Sequence, residues 1–272
     1  MKIMDFFFSH DWLNREAPYA FKPEHLIFIF VSVVIGFCLG IFLRTKTKKT
    51  SFIVIICLWV LSLLIGISYY SFTYYLCISD PTGHPFNIES MLPLHSCYMF
   101  MFICPFALFS KNHIVKTAAS SFLVIVNMIM GFITMFVGCP TPGYSTFSFL
   151  GMQTLLYHAL IFIVPLVMLI TGVYDIKFDD FKYGLILFGA LALTIWIFDA
   201  ISGCDYFYIY DGHTFPVLKV ISENVPSIVW TLITVSCYVI TAVATHFLVI
   251  FVKYQAQKII ASKKQQLEQK SS

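Results

Sequence analysis

Polar residues are so sparse along this chain that its apolar stretches, rather than its motifs, mark out the architecture. A membrane helix takes about 20 mostly apolar residues at 1.5 Å each to cross about 30 Å of hydrocarbon. Seven stretches qualify, roughly His25–Leu43, Phe52–Leu76, Leu92–Phe109, Lys116–Val137, Met152–Gly172, Phe181–Ser202 and Pro226–Val252. None alternates in the manner of the ~10-residue segments of a membrane barrel, so each predicts a helix. Lys22-Pro23 leads into the first, and Pro93 falls in the opening turn of the third, where a missing N–H costs little. The expectation is an all-α, polytopic membrane protein of seven transmembrane helices. Residues 1–24 would form an extracytoplasmic interfacial segment, 25–252 the membrane domain and 253–272 a basic cytoplasmic tail.

Composition narrows the classes further. The 272 residues are 59% hydrophobic and 11% charged, with a mean hydropathy of +0.84. Soluble domains are about 45–50% apolar and about 25% charged. A water-soluble globule, a disordered chain, a disulfide scaffold, a coiled coil and a nucleic-acid binder are therefore excluded. The net charge of +3 says less than its placement. Thirteen of the 17 Lys and Arg fall in the loops after the first, third and fifth spans or in the tail, beginning with Arg44, Lys46, Lys48 and Lys49. The positive-inside rule then puts the C-terminus in the cytoplasm and the N-terminus outside, in a cell membrane. Phe6-Phe7-Phe8 is too short and too soon interrupted by Asp5, His10 and Asp11 to be the core of a signal peptide, and predicts an interfacial segment together with Trp12. The tail lysines predict an extension of the seventh helix touching anionic lipid, at about 1 kcal/mol each; a solvated helix end is the simpler account of them.

Ionisable groups inside a bilayer are costly and point to function. His25 opens the first span, His95 lies in the first turn of the third, His158 sits six residues into the fifth, and Asp199 lies near the end of the sixth. At 1.5 Å per residue His158 is about 9 Å deep, so all four fall in one shallow outer layer, as a polar pocket open to the outer leaflet requires. His25 and Asp199 fit plain headgroup-level roles equally well. His158 is flanked by Leu155-Leu156-Tyr157 and Ala159-Leu160-Ile161, which makes a site role the better reading. Asn127 lies at mid-depth, and His246 is expected at the cytoplasmic edge. Cys97 stands two residues from His95, and on a regular helix the two would point about 200° apart. A reactive Cys97 would then need its base from another helix, with His158 the natural candidate; otherwise it is an apolar filler. Cys139 and Cys204 are the preferred pair for an outer disulfide. Gly36-x-x-x-Gly40 is a small-residue pattern for helix contact.

The run Leu92-Pro93-Leu94-His95-Ser96-Cys97 with the later Pro105, and His158 followed by Pro165 and Thr171-Gly172, resemble the YwaF family of bacterial integral membrane proteins. Phe21…His25-Leu26 and Asp205-Tyr206-Phe207-Tyr208 are similar to further elements of that family, although Asp205 replaces its usual Asn and Ser227 its usual aromatic. The resemblance covers nearly the whole chain in order. It extends distantly to eukaryotic cysteine-dependent phospholipid acyltransferases, and implies site roles for His95 and His158. The nucleophilic Cys of those relatives falls where this chain has Leu94.

Three functional readings follow. One is an outer-leaflet phospholipid acyltransferase without a cofactor, in which His95 or His158 acts as general base on an acceptor hydroxyl or on Cys97, and Asp199 orients the imidazole. Another is a membrane transporter or lipid-binding module, with Pro93, Pro105, Pro165 and Pro226 shaping a cavity. The third is a zinc-dependent lipid hydrolase ligated by His25, His95, His158 and Asp199. Membrane lipid is the expected substrate or ligand, and no nucleic acid is expected as a partner.

Overall fold

The protein was analysed as a computed structural model, which describes residues 22–79, 92–137, 147–210 and 221–271. The expected interfacial segment up to Phe21, and Cys139 of the expected disulfide, lie outside those residues. Long apolar runs build helices here as expected: α1 (Pro23–Arg44), α2 (Lys48–Ser79), α3 (Met99–Phe109), α4 (His113–Phe122), α5 (Met128–Val137), α6 (Phe149–Thr171), α7 (Phe181–Ser202) and α8 (Ser227–Ser271). A π-helical turn, Leu123–Asn127, joins α4 to α5, so that the two form one span. Six helices among the described residues are long and apolar enough to cross a membrane. The basic tail is a continuation of α8, which stays helical to Ser271.

The third span departs from expectation. A helix from Leu92 does not form; Leu92–Tyr98 runs as turns, closed by Leu94 N–H to the Leu92 carbonyl (2.9 Å) and Tyr98 N–H to the His95 carbonyl (2.9 Å). Pro93 disfavours helical backbone in the residue before it and has no N–H to donate. The eleven residues of α3 then cover only about 16 Å at 1.5 Å each, about half of the hydrocarbon thickness.

Two spans form the centre. The most apolar windows of α6 and of the α4–α5 span are 72% and 67% buried, whereas the other four are 22–28% buried. α6 packs against α1, α2 and α5, α4 packs against α3 and α7, and α8 crosses the π-helical turn. Small residues permit the closest approaches. Gly36 and Gly40 face α6, and a Cβ at Gly40 would lie 2.7 Å from Ile170 Cδ1. A Cβ at Gly131 of α5 would lie 2.9 Å from Ile161 Cγ2 and 3.1 Å from the His158 carbonyl. The outer helices turn Ile27, Phe30, Leu64, Ile67, Ile186, Leu193, Leu232 and Ile240 outward. Apolar exposure this extensive marks a surface solvated by lipid.

Candidate functional site

The turn segment Leu92–Tyr98 lies at the end of the bundle where α1 begins and α2 and α7 end, and aromatic side chains from four other elements close around it. Tyr98 is flanked by Tyr70 of α2 (ring centroids 5.2 Å) and Tyr157 of α6 (5.0 Å). The Tyr157 hydroxyl donates to the Cys97 carbonyl at 3.4 Å. On the other side Ser96 meets the Tyr238 hydroxyl of α8 at 3.4 Å, while its carbonyl accepts from Asn127 Nδ2 at 2.9 Å. The π-helical turn thus has a local purpose: it lets a fully buried Asn satisfy backbone that a regular third helix would have satisfied itself. The half-buried Cys97 thiol is within electrostatic reach of Tyr70, Tyr98, Tyr157 and Tyr238.

His95 points to a different wall. Its ring packs at 4.9 Å against Tyr206 and at 5.4 Å against Tyr208, both in the short 3₁₀ turn Tyr206–Tyr208 that follows α7. Its Nδ1 is buried with no hydrogen-bond partner. The turn that holds it is strained: Phe207 (φ 60°) and Tyr208 (φ 56°) are consecutive left-handed aromatic residues. Such backbone costs about 1–3 kcal/mol per residue and persists only when its surroundings over-determine it. They do so here. The Tyr238 hydroxyl donates to the Phe207 carbonyl (3.4 Å), Trp230 Nε1 to that of Tyr208 (3.0 Å), and Thr231 Oγ1 to that of Ile209 (2.7 Å). The buried Asp205 carboxylate accepts the Tyr210 N–H at 3.0 Å.

The other expected site residues divide. His158 is buried in α6, and its Nδ1 lies 2.7 Å from the Thr154 carbonyl one turn earlier. A carbonyl only accepts, so Nδ1 carries the proton in the neutral ring and Nε2 carries the lone pair. His25, wholly buried, places Nε2 2.6 Å from the Met135 carbonyl, tying the start of α1 to the last turn of α5. Asp199 is wholly buried in the last turn of α7, where its backbone carbonyl accepts the Gly203 N–H. Among the described residues no hydrogen bond joins Asp199 to His95 or His158, and no three His, Cys, Asp or Glu residues converge as metal ligands. The four residues of the zinc-hydrolase reading are not brought together as a ligand set: His25 opens α1, His95 lies in a turn, His158 sits within α6 and Asp199 lies in the last turn of α7.

At the opposite end His246 sits at the edge of the bundle, level with the 3₁₀ turn Phe178–Asp180. It is buried among the rings of Phe178 (6.0 Å) and Phe181 (5.2 Å). Asn127 thus joins the polar end of the bundle and His246 does not. The tyrosines and Trp230 are what the sequence reading passed over. Aromatic residues near span ends read as interfacial belts, and Tyr206 and Tyr208 enter the sequence reading only within a segment of family resemblance.

The sequence model of the TMEM164 family matches residues 20–254. No curated protein and no solved structure matches the chain.

Proposed function

The chain belongs to the TMEM164 family, a membrane protein family, and from that premise we propose that it transfers acyl chains between phospholipids at the outer face of a cell membrane. The observation that carries this reading is His158, buried in α6 at the end of the bundle that also holds His95, with one ring nitrogen unspent. His158 Nε2 keeps its lone pair because Nδ1 is committed to Thr154, and His95 Nδ1 is buried without a partner beside Tyr206 and Tyr208. The lysine-rich loops at the other end support the outward orientation of this end, with seven crossings completed by α3 and its turn segment. The resemblance to YwaF proteins and to cysteine-dependent phospholipid acyltransferases points the same way.

The reaction needs no electron acceptor and no cofactor. His158 Nε2 takes the proton from the hydroxyl of a lysophospholipid, whose oxygen attacks the ester carbonyl carbon of a donor lipid. His95, whose Nδ1 is buried, braces the neighbouring wall through its ring contacts with Tyr206 and Tyr208. Collapse of the tetrahedral intermediate breaks the donor's C–O bond, and the imidazolium returns its proton to the leaving alkoxide. One lysophospholipid is consumed and one released. In this scheme the Thr154 carbonyl orients the base, the role the sequence reading gave to Asp199.

The test is transfer of an isotope-labelled acyl chain from a diacyl phospholipid to an unlabelled lysophospholipid by the purified protein, read by mass spectrometry. Loss of transfer in His158→Ala and His95→Ala with retention in Cys97→Ala is the expected result. Loss in Cys97→Ala as well would mean that a thioester forms. No transfer by folded wild-type protein would overturn acyl transfer in favour of a transport or lipid-binding role.

A further inference from the structure

At the lysine-bearing end, far from His95, one face of α4 meets the segment between α6 and α7 around a cavity of about 210 Å³. The α4 positions that line it are His113, Lys116, Thr117 and Ser120, spaced i, i+3, i+4 and i+7, so that one helical face carries two cationic or titratable groups and two hydroxyls. Lys177 adds a further ammonium from the opposite wall.

The two carboxylates on that wall are already engaged. Asp175 Oδ1 pairs with Lys253 Nζ of α8 at 2.6 Å. Asp180 Oδ2 accepts from the Tyr174 hydroxyl at 3.0 Å and from the Lys177 N–H at 2.9 Å. No ion pair engages Lys116 or Lys177 among the described residues. The amides at the start of α4 are also spent, since Asn112 Oδ1 caps the N–H groups of Ile114 (2.9 Å) and Val115 (3.3 Å). What remains to act on a ligand is the set of side chains: Lys116, Lys177 and His113 as cations or donors, with Thr117 and Ser120 as hydroxyl donors at the cavity floor, both buried.

The volume sets the ligand's size. At about 30 Å³ per water the cavity equals about seven waters, below the roughly 300–1,000 Å³ of a pocket for a whole small molecule. It suits one phosphate-bearing headgroup whose remainder lies outside.

We propose that this cavity is a phosphate-binding site, taking either the phosphodiester of an anionic lipid in the adjoining leaflet or a free phosphate compound. Lys116 and Lys177 clamp the phosphate from opposite walls, and Thr117 and Ser120 donate to its oxygens. The Lys253–Asp175 pair offsets one of the two carboxylates of that wall and links the site to α8, so occupancy braces the α6–α7 connection against the last helix. The proposal does not depend on acyl transfer at the other end.

The test uses the full-length protein in zwitterionic detergent and reads thermal unfolding against added ligand. The probes are dioleoyl phosphatidylglycerol and dioleoyl phosphatidylcholine in mixed micelles, and, separately, inorganic phosphate and glycerol 3-phosphate. Stabilisation by phosphatidylglycerol and not by phosphatidylcholine or the soluble phosphates assigns a lipid headgroup; stabilisation by the soluble phosphates assigns a free ligand. In either case Lys116→Gln/Lys177→Gln should weaken the apparent affinity at least tenfold, while Lys111→Gln/Lys182→Gln, which remove lysines outside the cavity, should leave it within twofold. Both lysines of the first pair are exposed, so the variant should unfold at the wild-type temperature without ligand. Equal weakening by the two pairs, unchanged affinity in the first, or no stabilisation by any phosphate probe would overturn the site.

Discussion

Gly131→Ala adds one methyl group where α5 and α6 touch beside His158. The new Cβ would stand 2.9 Å from Ile161 Cγ2, 3.1 Å from Ile161 Cβ and 3.1 Å from the His158 carbonyl oxygen. Ordinary carbon–carbon contact is about 3.5–4.0 Å, so the helices must separate locally by about 0.6 Å. A new Ile161 rotamer does not relieve this, because Cβ and the backbone oxygen are fixed to α6. Overpacking of this kind costs about 1–3 kcal/mol, and Ala regains up to about 1 kcal/mol over Gly in a helix. The net expectation is a loss of about 1 kcal/mol, which lowers the unfolding temperature by about 2–4 °C in a chain of this size. The control is Gly189→Ala in α7, where a Cβ meets nothing within 4 Å; it should be neutral or raise the unfolding temperature. Thermal unfolding in detergent, followed by tryptophan fluorescence, measures both. Activity should fall more than stability in Gly131→Ala, since a displacement approaching 1 Å at a reacting group costs about 100-fold in rate. A Gly131→Ala protein that unfolds at or above the wild-type temperature would refute the close packing of α5 on α6.

His25→Ala removes the bond to the Met135 carbonyl, an acceptor in the last turn of α5, and leaves it unpaired in a buried site; a loss of about 1–3 kcal/mol is expected in the same unfolding assay. Trp230→Phe replaces the buried indole with a smaller phenyl ring and deletes the donor to the Tyr208 carbonyl. The cavity and the unpaired carbonyl together should cost about 2–4 kcal/mol of stability, and labelled-acyl transfer should fall several-fold as the strained turn loosens against His95. Tyr174→Phe removes the hydroxyl that donates to Asp180. Burial, and after it the Asp180 carboxylate, holds that hydroxyl above its ordinary value of about 10. A raised value in the folded state means that the hydroxyl's contribution is fully present below about pH 10 and falls as the pH rises beyond it. The stability gap between wild type and Tyr174→Phe should therefore be constant from pH 7 to 9 and shrink above pH 10, measured as unfolding temperature against pH.

The helical spans were legible because apolar length is a local property. The sixth apolar stretch, Phe181–Ser202, has the bounds of α7, and the small-residue pattern Gly36-x-x-x-Gly40 does face α6. The site was legible only in part. On a regular helix His95 and Cys97 would lie on opposite faces, but the segment is not helical. The two do face different walls, for a reason that lies in tertiary contacts: Tyr206 and Tyr208 take the His95 ring, while Tyr157 takes the Cys97 carbonyl. Asn127 was placed at mid-depth by counting residues, yet it serves Ser96 through a π-helical turn that counting does not reveal.

What the amino-acid order decides unaided is the solvent. A chain with this much apolar length satisfies its backbone within each helix and places its few charges at the ends, wherever those helices later pack. Which helices become the centre, which carbonyl the His25 ring meets, and how two aromatic residues hold left-handed backbone are decided only when distant elements meet. Hydrogen bonds such as His25 to Met135 and Trp230 to Tyr208 span 110 and 22 residues. No local pattern encodes their distances, because each depends on the packing of two helices that the sequence specifies separately.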